Sequence, residues 1–267
     1  MLSVRPPAVA GMFYPADAHE LAHDISDYLN AARPYELTPK ALIVPHAGYI
    51  YSGPVAATAY ATLRPYAARI CRVILLGPTH RVAVRGLALP GADAFDTPLG
   101  RIMLDVEAMH AVARFPQVSV SAQVHALEHS LEVQLPFMQS VLKEFTLLPL
   151  AVGMAGAEEV AEVLEAVWGG DETLIVISSD LSHYLPYTVA QRVDKATTES
   201  ILKLQQPIAH DQACGGTPVS GLILAAHKHH LKPNLLDLRN SGDTAGSQDR
   251  VVGYASFAFT PEQRQEK

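Results

Sequence analysis

The sequence predicts an α/β fold built on a mostly parallel sheet with helices on both faces. Three continuous apolar runs begin at Ala41, Arg72 and Thr173. Runs of this kind, rich in Val, Ile and Leu, are typical of strands that are buried on both faces of a parallel sheet. Strand patterns also alternate with helix patterns along the chain, which is the order of βαβ units.

The first half of the chain begins with a loop and continues with helices and strands. Residues 17–33 are predicted to be helical, because apolar residues recur on one face and Asp17 is a suitable cap. A strand over 41–45 follows. The triplet that begins at Ser52 is predicted to open a helix that ends at Leu63, since its proline suits the first helical turn. The next predicted elements are a strand over 72–76, two short strands within 82–104 and a helix over 105–114.

The second half of the chain continues the alternation. Apolar residues recur on one face of a predicted helix over 128–142, in which Pro136 is expected to cause a kink or to lie in an early turn. The polar end of the chain, 261–267, is expected to fray. The other predicted elements are strands over 146–152, 173–179, 234–239 and 251–259, and helices over 156–168, 187–205 and 218–230.

Composition limits the classes of function. The 267 residues show no linker and suit one domain over 1–267, with 49% hydrophobic and 18% charged residues. The net charge of −7 and the absence of a Lys/Arg cluster argue against nucleic acid and anionic membranes as partners. No apolar stretch is long enough to span a membrane or to act as a signal peptide. Two cysteines favour a cytosolic setting.

Each of the three apolar runs ends in a histidine, namely His46, His80 and His183. Ligands of open α/β sheets bind beyond the carboxyl ends of the strands, so these side chains are expected to reach one site. Cys214, in a loop rich in turn residues, is a candidate third ligand beside His46 and His80 for Zn, Fe(II) or Cu. The alternatives are turn histidines that only form hydrogen bonds and a small loop cysteine.

Two further groups of polar residues are candidates for catalysis or support. Asp180 precedes His183 by three residues, and a carboxylate that accepts a hydrogen bond from the imidazole would make His183 a better base. The alternative is that Asp180 caps a following helix. Glu128, His129 and Glu132 form a cluster that belongs either to a site or, more commonly, to a solvated helix face.

The motifs together resemble the Memo-like family, which is the B component of the AmmeMemoRadiSam set. The resemblance covers nearly the whole chain, and it also implies the other components of that set as partners. The segments that carry it are Ala10–Pro15, Pro45–Tyr49, Ser52–Gly53, Leu76–His80, Glu128–Glu132, Ser178–His183, Cys214–Gly215 and Asn240–Asp243.

The family is similar in fold to class III extradiol dioxygenases of the LigB type. This similarity implies a three-layer α/β/α sandwich and a non-haem iron pocket. The positions that match the metal ligands of those enzymes are His46, His80 and Cys214, with cysteine where the dioxygenases have glutamate. His183 resembles their acid–base histidine, and His129 resembles a further pocket histidine.

Three functions follow as hypotheses. The first is a non-haem iron or copper oxidoreductase, with zinc as an alternative metal, in which His183, oriented by Asp180, moves protons for an unidentified small molecule. The second is a protein that binds metal or peptide in the same pocket without turnover. The third is hydrolysis with Cys214 as nucleophile and His183 as base.

Overall fold

The computed structural model describes residues 2–262, so 263–267 of the predicted frayed end lie outside the described residues. The strands are β1 Val4–Arg5, β2 Ala41–Val44, β3 Arg72–Pro78, β4 Leu87–Leu89, β5 Ala94–Thr97, β6 Gly100–Met103, β7 Val118–Val120, β8 Thr146–Val152, β9 Thr173–Ser178, β10 His183–Leu185, β11 Leu231–Asn240 and β12 Val251–Pro261. The helices are α1 Ala18–Ala31, α2 Tyr49–Ala61, α3 Val106–Val112, α4 Ala122–Ala126, α5 Leu135–Val141, α6 Ala157–Ala166, α7 Tyr187–Leu202 and α8 Gly216–Lys228.

The main sheet has nine strands within the described residues, in the order β10-β12-β2-β9-β3-β8-β4-β7, with β11 paired to β12. The four central strands β2, β9, β3 and β8 are parallel. In their register Val44 lies opposite Ser178, and Leu76 lies opposite Ile177. The residues that follow β2, β9 and β3 therefore leave the sheet side by side at one edge. A smaller sheet joins β1, β5 and β6.

Helices cover both faces of the main sheet, which confirms the predicted α/β sandwich. Because successive side chains of a strand point to opposite faces, β9 contributes to two separate cores. Val176 packs in one core with Leu21 of α1 and other apolar residues of α2 and α5. Ile177 packs in the other core with Val160 of α6 and Leu222 of α8.

Several element boundaries differ from the sequence prediction for tertiary reasons. Helix α2 begins at Tyr49, before the predicted start, because the Tyr49 N–H donates to the Phe13 carbonyl. The predicted helix over 128–142 is wrong in its first part: α5 begins only at Leu135, with Pro136 in its first turn, after a short 3-10 turn. The prediction lacks strands β1, β7 and β10, helix α4 and a third strand within 82–104; β1 lies in the segment predicted to be a loop.

The remaining predicted strands and helices are present. Strand β8 has the predicted bounds, and the Asp17 side chain accepts hydrogen bonds from the first N–H groups of α1, as expected of a cap. None of the helices between residues 2 and 262 combines the length and hydropathy that a membrane crossing needs.

Candidate metal centre

Three histidines meet at the carboxyl edge of the central strands. His46 follows β2, His80 follows β3, and His129 lies in the loop between α4 and the 3-10 turn that precedes α5. One ring nitrogen from each histidine lies within 4.8 Å of the others. Separations of this size suit donors that surround a single metal ion with modest adjustment.

A cavity of about 710 Å³ opens onto this three-histidine cluster. His183 and Asp180 line it, so the structure places two of the three predicted catalytic residues beside the cluster, while the third, His129, is a member of the cluster itself. Arg250 contributes a positive side chain to the lining. The aromatic side chains in the lining are Phe13, Tyr51, Tyr184 and Tyr254. The cavity therefore combines the imidazoles with four aromatic side chains and a few polar groups, a composition typical of small-molecule sites.

Hydrogen bonds determine which nitrogen of His46 faces the cluster. The Ser178 hydroxyl donates to the Ser130 carbonyl at 2.6 Å, so its oxygen serves only as an acceptor toward other groups. His46 Nδ1 lies 2.9 Å from that oxygen and must carry the proton. His46 Nε2 is therefore the unprotonated nitrogen, and its lone pair is available to a metal or to another donor.

Gln134 supports this arrangement from the opposite side. Its Nε2 donates to Ser178 Oγ and to the Pro45 carbonyl, each at 2.9 Å, while its Oε1 accepts from the Tyr60 hydroxyl at 2.8 Å. Because a carbonyl only accepts, the contact with Pro45 determines the orientation of the amide. Every member of this buried chain has its partners, so the tautomer of His46 is set by the fold.

Glu128 orients the ring of His80 in the same way that Ser178 orients the ring of His46. Its carboxylate lies 2.9 Å from His80 Nδ1 and also accepts from the backbone N–H groups of His80 and Ser130. Burial by itself would raise the pKa of Glu128, but these hydrogen bonds lower it to about 2. The ionised carboxylate holds a proton of His80 on Nδ1 and orients the ring, so that Nε2 is the nitrogen left for a metal, as in carboxylate–histidine–metal arrangements.

The His129 ring packs inside the protein next to Glu128. Its Nδ1 is buried and makes no hydrogen bond with any described residue, although it lies 3.4 Å from the Glu128 carboxylate oxygen Oε1. The Phe13 ring packs against the imidazole with 4.6 Å between ring centroids. Burial is the main cause that lowers the pKa of His129 to about 4, so the ring is neutral at physiological pH. A buried neutral imidazole is able to bind a cation through a ring nitrogen.

Arg5 and Glu132 hold the loop that carries His129. The Arg5 guanidinium donates to the carbonyls of His125 and Glu128 and forms an ion pair of 2.7 Å with Glu132. Glu132 is fully buried, and it also accepts the N–H groups of residues 8 and 9 and the Tyr14 hydroxyl. The N-terminal segment is thereby tied against the site, which places Phe13 on His129.

Asp180 and His183 are not joined as the sequence suggested. Within residues 2–262 no hydrogen bond connects their side chains; the Asp180 carboxylate instead accepts the backbone N–H of His46 at 2.7 Å. The segment after β9 leads into strand β10. The helical face expected to align the two residues is therefore absent from this segment, and so is the helix that Asp180 was alternatively expected to cap. Asp180 therefore supports the backbone at His46.

Burial alters the protonation of both groups. It raises the pKa of the Asp180 carboxyl to about 7, against the opposing effect of the His46 N–H. It lowers the pKa of the half-buried His183 ring, which is the direction that keeps this imidazole neutral. A neutral imidazole that lines the cavity is able to accept a proton.

Cys214 lies at the margin of the cluster. Its Sγ is 3.3 Å from His46 Nε2, the unprotonated nitrogen, so the thiol is the donor in this contact. The three residues whose ligand atoms meet are His46, His80 and His129, and Cys214 is not among them. Burial and the nearby Asp180 raise the pKa of the thiol, so in this arrangement it is protonated.

The donor set fits a divalent metal ion of intermediate softness. Burial and the neighbouring imidazoles lower the pKa of His46, and His129 is neutral as well, so neither ring must lose a proton before it binds a cation. The meeting of three ring nitrogens and the two Nε2 atoms that hydrogen bonds orient are the observations that favour binding. Imidazole ligands suit Zn, Cu and Fe.

Sequence reasoning missed the supporting residues of the cluster. Gln134 and Tyr60 lie in no motif, and Ser178 lies in the segment Ser178–His183 without a role of its own there, so only their contacts reveal what they do. Glu128 and Glu132 were recognised as a cluster but assigned to a solvated helix face as the commoner case. Both are almost fully buried. The one available indication was that Glu128 directly precedes a histidine in a segment interrupted by proline.

The fold and the site define an α/β protein with a three-histidine candidate metal centre at the carboxyl edge of its sheet. A family profile described as "Memo-like protein" matches residues 5–258. The chain belongs to this Memo-like family.

Relatives of nearly equal length support the assignment. A MEMO1 family protein of Aquifex aeolicus is 36% identical over 97% of this chain and 100% of the relative. A MEMO1 family protein of Pyrobaculum arsenaticum is 34% identical over 97% of this chain and 99% of the relative.

Among solved structures, an uncharacterized protein from Escherichia coli K12 aligns with a TM-score of 0.47 and 12% identity, covering 80% of this chain and 98% of that chain.

Proposed function

We propose that this protein is a metal-dependent oxidoreductase of the non-haem iron or copper type that acts on a small molecule. The observation that supports a metal most directly is the meeting of three imidazole nitrogens within 4.8 Å. The cavity of about 710 Å³ beside them provides space for a substrate. A bound divalent metal would supply Lewis-acid or one-electron redox chemistry at this position.

The residues of the chain divide into three roles. His46, His80 and His129 bind the metal, with Cys214 as the alternative third ligand because its sulfur contacts His46 Nε2. His183, which lines the cavity, accepts or returns a proton at a ring nitrogen. The aromatic side chains of the lining orient the substrate.

Analysis of metal content in four variants tests the ligand assignment. We expect His46→Ala and His129→Ala to lose metal. Cys214→Ser should lose metal only if the thiol, instead of His129, is the third ligand. His183→Ala should retain metal, because a proton-transfer residue acts mainly on the rate. The protein is purified without oxygen and without a metal affinity column, and melting curves confirm that each variant folds. Metal retained by His129→Ala but lost by Cys214→Ser would overturn the three-histidine assignment.

Oxygen uptake in the presence of catechols tests the oxidoreductase assignment separately. We expect uptake only with the Fe(II)- or Cu-loaded protein and none with His183→Ala. Full metal occupancy without uptake would contradict turnover of this substrate class and favour a protein that binds metal or peptide without catalysis. Assembly with the other AmmeMemoRadiSam components and a cytosolic setting remain predictions.

A further inference from the structure

A second cavity, of about 640 Å³, lies on another side of the cluster. One wall is formed by residues 78–84, which include the end of β3 and the loop after it, and the opposite wall by 152–155 at the end of β8. These strands are parallel neighbours, with Pro78 opposite Val152, so the cavity opens at the same sheet edge as the first. His80 lines both cavities, and Cys214 lines the second.

The second cavity is positively charged. Arg81 lines it, and its exposed guanidinium forms no ion pair or hydrogen bond with another residue of the range 2–262. His210 and Thr79 supply further polar atoms, and no Asp or Glu is part of the lining that the structure describes. The Arg81 guanidinium is therefore the permanent charge of this lining, with no carboxylate among the described lining residues to neutralise it.

Arg81 is the side chain of the lining that is available to an anion. His210 Nδ1 lies 3.3 Å from the Cys214 carbonyl, which only accepts, so this ring already donates to the backbone. Arg81 directly follows His80 in the chain and lines the same cavity, so the guanidinium is carried beside the histidine cluster. A planar guanidinium presents paired donors that match the oxygens of a carboxylate or a phosphate.

We propose that the second cavity binds a small oxyanion, a carboxylate or a phosphate, through the Arg81 guanidinium. The anion lies beside Cys214 and His80, so a second ligand reaches the surroundings of the centre without entering the first cavity. The binding requires only the permanent charge of Arg81 and the shape of the cavity. It is therefore independent of the metal and goes beyond the oxidoreductase activity proposed above.

Calorimetric titration of metal-free protein with inorganic phosphate, and separately with acetate, tests the proposal. Sodium chloride at equal ionic strength is the reference. We expect one of the two anions to bind the wild type with one-to-one stoichiometry, and the two titrations distinguish phosphate from carboxylate. Arg81→Met should weaken the binding roughly tenfold, because it removes charge-assisted hydrogen bonds. Arg81→Lys should be intermediate, since it retains the charge but not the paired donors.

Arg85→Met is the matched control, because Arg85 is exposed on the same loop but does not line the cavity. Alkylation by iodoacetamide, followed by peptide mass spectrometry, locates the bound anion. The anion should slow the reaction of Cys214 and leave exposed Cys71, at the opposite end of β3, unchanged. Equal affinity in Arg81→Met and wild type, or no binding of either anion, would overturn the proposal. If the wild-type protein binds an anion but no metal, only the proposed oxidoreductase function is refuted.

Discussion

Replacement of Glu128 by glutamine should weaken metal binding and destabilise the protein. The Glu128 carboxylate accepts three hydrogen bonds, from His80 Nδ1 and from the backbone N–H groups of His80 and Ser130. A glutamine side chain of nearly the same shape offers only one acceptor oxygen, and its NH₂ group faces N–H donors. His80 then loses the ionised partner that orients its ring, and we expect metal affinity to fall about 10- to 100-fold.

The loss of stability can be derived from the pKa of Glu128. Despite the opposing effect of burial, hydrogen bonds lower this pKa from 4.5 to about 2. At about 1.4 kcal/mol per pKa unit, the ionised side chain contributes about 3 kcal/mol to the free energy of unfolding. Because the folded-state pKa lies below the unfolded-state value, this contribution is fully present above about pH 4.5 and is lost as the pH falls towards 2.

Urea denaturation of metal-free protein between neutral pH and about pH 3 measures this difference. We expect Glu128→Gln to be about 2–3 kcal/mol less stable than the wild type at neutral pH, with the gap closing in acid. Glu107→Gln is the control, since Glu107 is exposed in the first turn of α3. A metal affinity within twofold of the wild type, or a stability gap that does not depend on pH, would refute the assigned role of Glu128.

Two further predictions concern His46 and its supports. Ser178→Ala should release the proton of His46 from Nδ1 and weaken metal binding roughly tenfold; ¹⁵N NMR of the metal-free protein detects the change of tautomer. Ser140→Ala, on α5, is the control. An unchanged tautomer in Ser178→Ala would contradict the network. Burial raises the pKa of Asp180 from 3.8 to about 7, so ionisation in the folded protein costs stability as pH rises through that interval. The free energy of unfolding of Asp180→Asn should therefore increase relative to the wild type from about pH 4 to 7, and parallel urea-denaturation profiles would count against this.

The meeting of His46 and His80 was predictable because strand patterns are local. Continuous apolar runs identify strands buried on both faces, and the parallel arrangement brings the residues after β2 and β3 to one edge. The same reasoning placed His183 near this edge, where it lines the cavity. Helix boundaries were less predictable where contacts between distant segments outweigh periodicity, as at Tyr49 and Leu135.

The sequence by itself determined the parallel α/β sheet, the edge that carries the histidines and the family resemblance, because these depend on residue types and their order. Only the tertiary structure decided which polar atoms meet. Ser178 lies 132 positions from His46, and Glu128 lies 48 positions from His80. Such contacts depend on how separate segments pack over the sheet edge. The same packing buried Glu128, turned Asp180 towards the His46 backbone and placed His129, rather than Cys214, in the cluster.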